Sequence, residues 1–522
     1  MTINKKYQNI VAAFIFLAFS FGLLYICTSS SPRYATNPWV DSNAFMTVGK
    51  SMVKGLVPYK DLFEQKGPLL YLIHGISYLV FENNFTGVYV FESISMALTL
   101  LFVLKTVKLF LNTASSYLVS VLTGIVTANA FCFYLGDSAE EFCLPLLSVA
   151  IYYLCLYFKD NANRNLQWYT YLFCGICAGC IAMIKFNVLG IWFAWMASLS
   201  LHTLFVKKEV KSAFLNAFIF IIGMALPVIP WIIYFTLNGA LKDFLDVYIF
   251  INTKFYSTDT TFSIVTFISN YFTRFLHGVL SSKLFSAITF ISLWVLLFSK
   301  KVISEKIPQR LPFLFAFIFN ALGIYLGTSI SYYHLPFAVF IPFAFIGFVM
   351  LAEQLIKKPE LFNKIISSLL VILIIAALPI SLTLSLSSRR TEKNFQKTVQ
   401  YEFCEYIKSE KPDSKILNLG FLDGGFYLAA DQVPAFVHFE QQNIPREKFS
   451  LNYDEQERYV KEGLADFVVA RERVGSQKTV NKLYPFIFEN YRLVKKTECS
   501  PIVNVSREEN SFIFYLFEKK NA

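Results

Sequence analysis

Charge is scarce in this chain. Only 16% of its 522 residues are Asp, Glu, Lys or Arg, against 55% that are hydrophobic. Soluble globular proteins carry about 25% charged residues, so this deficit, with a mean hydropathy of +0.49, excludes an ordinary soluble domain. Negative charge is the scarcer kind: 36 acidic residues stand against 47 Lys and Arg, a formal charge of +11. There is no internal repeat and no low-complexity tract, so the inverted repeats common in transporters have no counterpart here. A nucleophile elbow, a P-loop and an HExxH motif are also missing, and with them the usual signatures of serine hydrolases, P-loop nucleotide enzymes and zinc proteases.

The apolar residues come in runs near 20 residues, the length of a membrane-spanning helix. Eleven spans are predicted: 9–28, 87–104, 114–134, 140–158, 168–183, 187–206, 213–236, 284–299, 311–330, 334–352 and 363–386. The first run follows Lys5 and Lys6, is longer than the usual signal-peptide core, and "TSSSPRY" lacks a clean small-x-small cleavage site. It therefore reads as a retained span and not as a signal peptide.

Basic residues sort onto one set of connections: Lys5/Lys6, Lys105/Lys108, Lys159/Arg164, Lys207/Lys208/Lys211, Lys300/Lys301/Lys306/Arg310 and Lys357/Lys358/Lys364. The opposite set is two long loops, 29–86 and 237–283, and three tight turns whose only basic residue is Lys185. Positive loops stay cytoplasmic. The N-terminus is thus expected inside, with the long loops and the tail beyond Ser387 outside. This topology, with anionic lipid headgroups as the partner, accounts for the positive charge without nucleic acid.

The predicted fold is a polytopic α-helical membrane domain over 1–387, followed by a small outer domain over 388–522. The tail alternates β-like runs, "KILNLGF", "ADFVVAR", "YRLVKK" and "SFIFYLFEKK", with charged helix-like stretches such as "NFQKTVQYEFCEYIKSE" and "DEQERYVKEG". That alternation predicts an α/β domain. Its two cysteines, Cys404 and Cys499, would be able to pair in an oxidising exterior. Cys174, Cys177 and Cys180 in "CGICAGC" imitate a metal motif, but with Gly175 and Gly179 inside an apolar run they read as a small-residue packing face.

Charges at a membrane edge are costly unless they are paired or functional. Asp41, just after the first span, precedes the amphipathic "SNAFMTVGKSMV" and is a good helix N-cap, which is compatible with a catalytic role. Lys60, Asp61, Glu64 and Lys66 run directly into "GPLLYLIHGISYLVF". That segment is too short to span and is expected to lie at the interface, with Lys66 at the depth of a lipid phosphate. The turn "YLGDSAEEFCLP" carries Asp137, Glu140 and Glu141, and Asp137 or Ser138 suits the cap of the helix that follows. Lys185 in "MIKFNVLG" and His334 in "SISYYHLPF" occupy two further outer turns. Acids and cations gathered on one face suggest transfer chemistry on an anionic, lipid-linked substrate.

In order, these segments resemble a known family. Asp41, then Gly55/Pro58/Tyr59/Asp61, then Lys66/Pro68/Leu69/Tyr71 are similar to the first outer loop of the GT-C membrane glycosyltransferases. They look most like the protein O-mannosyltransferase and aminoarabinose-transferase group and its bacterial relatives. "GDSAEEF", "MIKFNVLG" and "YYHLPFAVFIPF" match later family segments, so the resemblance covers about 30–350. Two positions depart from the pattern: Gly67 replaces a proline, and the carboxylate expected just before the lysine is Gln65, with Glu64 one place earlier.

The resemblance implies a bacterial, multi-pass plasma-membrane enzyme. It would transfer a sugar, with inversion, from a polyprenyl-phosphate donor to an envelope polysaccharide or glycolipid acceptor outside the cytoplasm. Asp41 would be the general base. Lys66 and Lys185 would bind the donor phosphate. Asp137, Glu140, Glu141, Asp61 and Glu64 would bind the acceptor or a cation, and a divalent metal ion would be held by carboxylates with His334 or His74. The alternatives are a lipid-linked-sugar flippase or transporter and an inactive, acceptor-binding relative.

Overall fold

A computed structural model describes residues 5–159, 165–255, 263–304, 306–390, 398–500 and 511–520. Arg164, one of the topology residues, lies outside them. The helices in chain order begin with α1 (Lys5–Cys27), α2 (Val40–Val53), α3 (Pro68–Val80), α4 (Thr86–Val107) and α5 (Thr113–Asn129). They continue with α6 (Ala139–Phe158), α7 (Trp168–Lys185), α8 (Gly190–Leu201) and α9 (Val210–Leu237). Ile264–Ser281, Lys283–Phe298, Leu311–Tyr325, Ile341–Leu355 and Pro359–Leu384 complete the apolar set.

Among the described residues, eight helical segments are long and apolar enough to cross a membrane, or nine if Ile264–Ser281 and Lys283–Phe298, bent by 109°, make one span. The chain is a multi-pass membrane protein. The difference between nine and eleven has two sources. The run Trp168–Val206 is continuous over 39 residues, about 58 Å at the helical rise and roughly twice a hydrocarbon core. It breaks at a 3-10 turn, Phe186–Leu189, into α7 and α8. The other source is α5, which has 17 residues and falls just short of a full span. The predicted outer loop 237–283 also contains a helix absent from the expected elements, Ile264–Ser281.

The chain divides into two compact units, one of Met1–Cys27, Glu92–Ile232 and Thr258–Ser388, the other of Thr28–Phe91, Ile233–Ser257 and Arg389–Ala522. The tail thus shares its unit with the whole of the first long loop.

In the first unit "CGICAGC" is a helix contact. A Cβ on Gly175 would lie 2.1 Å from the Phe220 carbonyl oxygen of α9, and one on Gly223 would lie 2.2 Å from that of Leu172. Only glycine allows the two backbones this close.

In the second unit α2 and α3 pack as tightly. A Cβ on Gly49 would stand 2.6 Å from both the Tyr71 carbonyl oxygen and the Gly75 nitrogen. The four β-like runs of the tail form β1 (Ile416–Leu419), β2 (Phe467–Arg473), β3 (Tyr491–Cys499) and β4 (Phe512–Lys519). Their order is β1-β2-β4-β3, with β1 and β2 parallel and the other pairs antiparallel. Leu417, Val468, Ala470, Tyr515 and Phe517 fill its core with Val460 and Ile487 from the helices. Cys404 and Cys499 are not joined by a disulfide. Cys404 is buried and its thiol reaches the Phe426 carbonyl oxygen, so packing and not cross-linking holds this domain.

Candidate active site

The second unit carries the segment in which charge meets the apolar run. Its motif residues first shape the backbone. Gly55 has φ +95° and Tyr59 has φ +70°, a conformation costly for a bulky side chain unless its surroundings enforce it. Here they do. The Tyr59 hydroxyl donates to the Lys66 carbonyl oxygen at 2.6 Å, and its ring packs among Phe235, Phe244 and Tyr248. Asp61 accepts the Val57 N–H at 2.7 Å and closes the turn. Lys60 donates to the Asn238 carbonyl oxygen at an exposed position.

Glu64 is buried and faces back on Lys66. Its carboxylate accepts the Lys66 N–H at 2.9 Å and the Tyr71 hydroxyl, and it lies 3.7 Å from the Lys66 ammonium. The shifted carboxylate therefore reaches the lysine from two places upstream. Gln65 uses its carbonyl oxygen on the Asn252 amide. Gly67 caps α3 and Pro68 opens it, where proline has no N–H to lose.

Asp41 is buried inside the first turn of α2, and Trp39 occupies the cap position. This corrects the N-cap expectation: the helix starts one residue earlier, at Val40, and the carboxylate favours the first turn through the helix dipole. One turn on, Phe45 lies under the Lys66 ammonium, 5.4 Å from its ring centroid. His74, on α3, gives its Nδ1 to the Leu70 carbonyl oxygen at 2.8 Å and meets Phe45 edge-on.

The first unit carries the acidic turn. Tyr134, Gly136 and Asp137 all have positive φ, at +58°, +80° and +61°, which folds the chain sharply before α6. Ser138 caps that helix, its Oγ accepting the Glu141 N–H at 3.1 Å. The Asp137 N–H donates to Glu92 at 2.7 Å and to Glu141 at 2.9 Å. Glu140 forms a buried ion pair with Lys185. The Lys185 ammonium also lies 3.7 Å from the centroid of Tyr333, so "MIKFNVLG", "GDSAEEF" and "YYHLPF" meet at one place. His334 is spent elsewhere: Nδ1 takes the Tyr325 hydroxyl at 2.7 Å and Nε2 meets Ser286 Oγ at 3.0 Å.

The two histidines thus sit in packing networks, and among the described residues no three His, Cys, Asp or Glu side chains group to hold a metal ion.

Comparison with known proteins comes down on the same side as these motifs. The family profile described as dolichyl-phosphate-mannose-protein mannosyltransferase matches residues 65–234, about a third of the chain. No curated protein sequence matches. In three dimensions the chain is similar to ArnT from Cupriavidus metallidurans bound to undecaprenyl phosphate, at 11% identity, TM-score 0.58 and 98% coverage of both chains. Apo ArnT gives 10% identity, TM-score 0.59 and the same coverage. The chain has a GT-C glycosyltransferase fold. A mycobacterial arabinofuranosyltransferase, AftD, is similar at 10% identity and TM-score 0.51, with all of this chain covering 42% of that one.

Several charged groups of this GT-C fold escaped sequence reasoning. Glu92 is a fully buried carboxylate inside an apolar run, and an acid in a span is itself a signal of function. Lys50, Asp423, Asp431 and Glu440 carried no such signal: Lys50 and Asp431, like Thr47 and Asp423, meet across more than 370 residues, and Glu440 sits in a polar stretch of the tail. Lys50 is fully buried and bonds Asp431 at 2.7 Å. Asp423 and Glu440 are also fully buried. Burial pushes the Asp423 carboxyl up to about 6, against hydrogen bonds from Thr47, Gly425 and Asn418. Burial also drives Glu440 well above the ordinary range, aided by the charges of Glu64, Asp423 and Asp41.

Proposed function

We propose that this chain is an inverting glycosyltransferase. It moves a sugar from a polyprenyl-phosphate carrier to a hydroxyl of an envelope polysaccharide or glycolipid, on the outer face of a bacterial cytoplasmic membrane. One observation carries the reading. The Lys66 ammonium rests over Phe45, one helical turn from Asp41 on the same face of α2. A cation suited to a phosphate and a carboxylate suited to a hydroxyl thus belong to one short piece of structure. The complex of ArnT with undecaprenyl phosphate supports the class of carrier. The sorting of Lys and Arg onto alternate connections supports the orientation.

The acceptor oxygen attacks the anomeric carbon while the bond from that carbon to the phosphate oxygen breaks. The hydroxyl proton passes to Asp41, a general base within reach of the acceptor. The electron pair leaves on the lipid phosphate, already a stable anion, so neutralisation serves it better than a proton. Lys66 supplies that charge, and Glu64 and Tyr71 hold Lys66 in place. In the first unit Lys185, paired with Glu140, is a separate candidate ligand for a lipid phosphate. Also in the first unit, Glu141, Asp137 and Glu92 are acids suited to a sugar hydroxyl or a cation; in the second, Asp61 acts through the turn that it closes.

The test uses the purified full chain with a lipid extract of bacterial membranes, reading released undecaprenyl phosphate by mass spectrometry. Asp41→Asn should lower release by about 10²–10⁴-fold and leave the affinity for undecaprenyl phosphate unchanged. Undiminished release by that variant removes Asp41 as the base. Movement of intact lipid-linked sugar across vesicles without release would return the transporter reading.

A further inference from the structure

α2 is held from the tail. Along one of its faces stand Asn43, Thr47 and Lys50, with Lys54 at its C-cap, spaced four, three and four residues apart, which is the period of one helical stripe. Each meets the segment Asp423–Asp431. The backbone of Gly425, at φ +86°, runs so close that a Cβ there would be 3.0 Å from Asn43 Oδ1. Thr47 Oγ1 donates to Asp423 Oδ2. The Lys50 ammonium donates to Asp431 Oδ1 at 2.7 Å, and Lys54 stands 3.9 Å from the same oxygen. From α3 the Tyr78 hydroxyl also reaches Asp431, at 3.3 Å.

Behind this contact the segment is braced. The Asp423 N–H donates to Glu440 at 2.7 Å, and the Gln442 amide donates to the other Glu440 oxygen at 2.7 Å. Asp423 Oδ1 accepts the Gly425 N–H at 2.8 Å and the Asn418 amide at 3.2 Å. A buried polar network of this kind fixes a single arrangement when its members are satisfied.

A helix of 14 residues is marginal by itself; α3 holds one of its faces at Gly49, and the tail holds the polar stripe. The roll of α2 about its axis decides where Asp41 points. We infer that the outer domain is a working part of the active site: through Thr47–Asp423 and Lys50–Asp431 it sets the rotation and depth of α2, so that Thr47 and Lys50 are positioning residues for Asp41. The inference rests on the proposed role of Asp41. A displacement near 1 Å at a reacting group costs on the order of 10²-fold in rate, so removal of one such bond should appear in turnover before it appears in binding.

Thr47→Val keeps the volume and removes the donor, and Thr47→Ser restores the donor. With full-length protein and the release assay, Thr47→Val should lower the release rate at least tenfold, with undecaprenyl phosphate affinity within twofold of wild type. Thr47→Ser should recover most of the rate. Lys50→Met replaces a buried cation by an apolar chain and leaves a half-exposed Asp431 to solvent, so it should show the same split. A purely structural role would lower expression and affinity together.

Wild-type release rates in both Thr47→Val and Lys50→Met, beside an inactive Asp41→Asn, would overturn the inference and leave the base assignment standing. An active Asp41→Asn would overturn both. If one positioning variant fails to fold, the other carries the reading.

Discussion

Lys185 and Glu140 give the sharpest test of the first unit. Both side chains are nearly sealed, 9% and 2% exposed. Removing one partner of a buried pair leaves an uncompensated charge and costs about 3–5 kcal/mol. Glu140→Gln leaves Lys185 over Tyr333, where the ring face offsets part of that cost. Lys185→Met also removes the cation–π attraction to Tyr333, about 2 kcal/mol when desolvated. Lys185→Met should therefore be the less stable single variant. The double variant strands no charge. It should sit within about 2 kcal/mol of wild type, because the attraction between Lys185 and Tyr333 is the main term it gives up. Thermal midpoints in detergent should fall in the order wild type, double, Glu140→Gln, Lys185→Met. A double variant less stable than either single one would refute the reasoning, because two independent losses add.

The same variants separate the two roles of Lys185. If it binds a lipid phosphate, Glu140→Gln removes a competing carboxylate and should tighten undecaprenyl phosphate. Lys185→Met should weaken it about tenfold, or 1.4 kcal/mol. Unchanged affinity in both would leave Lys185 a packing residue.

Gly175→Leu should destabilise by several kcal/mol, because its Cβ alone would press to 2.1 Å on the Phe220 carbonyl oxygen and overpacking costs about 1–3 kcal/mol before longer atoms are placed. Cys177→Ala beside it should change the thermal midpoint little, and the reverse ranking would revive a cysteine-based role. The raised Asp423 carboxyl, at about 6, predicts a pH slope. Because the folded state keeps this proton more tightly than the unfolded chain, the group's stabilisation is present below about pH 4 and lost as pH rises through about 6, on the order of 3 kcal/mol. Asp423→Asn should flatten the midpoint-against-pH curve over that window, and parallel curves would contradict the assignment.

Local chemistry made much of this protein legible before any coordinates. Apolar runs become helices in a membrane because every backbone group must be satisfied inside the segment. The eleven runs are accordingly all helical in the structure. The four β-like stretches of the tail became its four strands for a similar reason, as short alternating or buried runs bounded by turn residues. "CGICAGC" was readable as packing because glycine spacing reports how close a neighbour comes. The motif around Pro58–Tyr71 was visible, but its meaning was not. Gly55, Tyr59 and Asp61 build a strained turn that delivers Lys66, and Glu64 acts from two places upstream because a turn brings it back.

Partners distant in the chain were beyond reach. Lys50 reads as one more lysine on an amphipathic helix until Asp431 is placed against it, 381 residues later. Asp423 and Glu440 read as ordinary tail acids, yet both are sealed from water. His334 has the look of a metal ligand in its motif, but Tyr325 and Ser286 already occupy its ring. Most of the membrane helices, the tail's strands and the motif charges such as Asp41, Lys66 and Lys185 were written in the amino-acid order, since each follows from hydropathy, period and side-chain type within a few turns. Which of those charges pair, which are buried, and which helix the C-terminal domain contacts were settled by the folded arrangement alone. Electrostatics and hydrogen bonding depend on distance in space, and separation along the chain does not encode it.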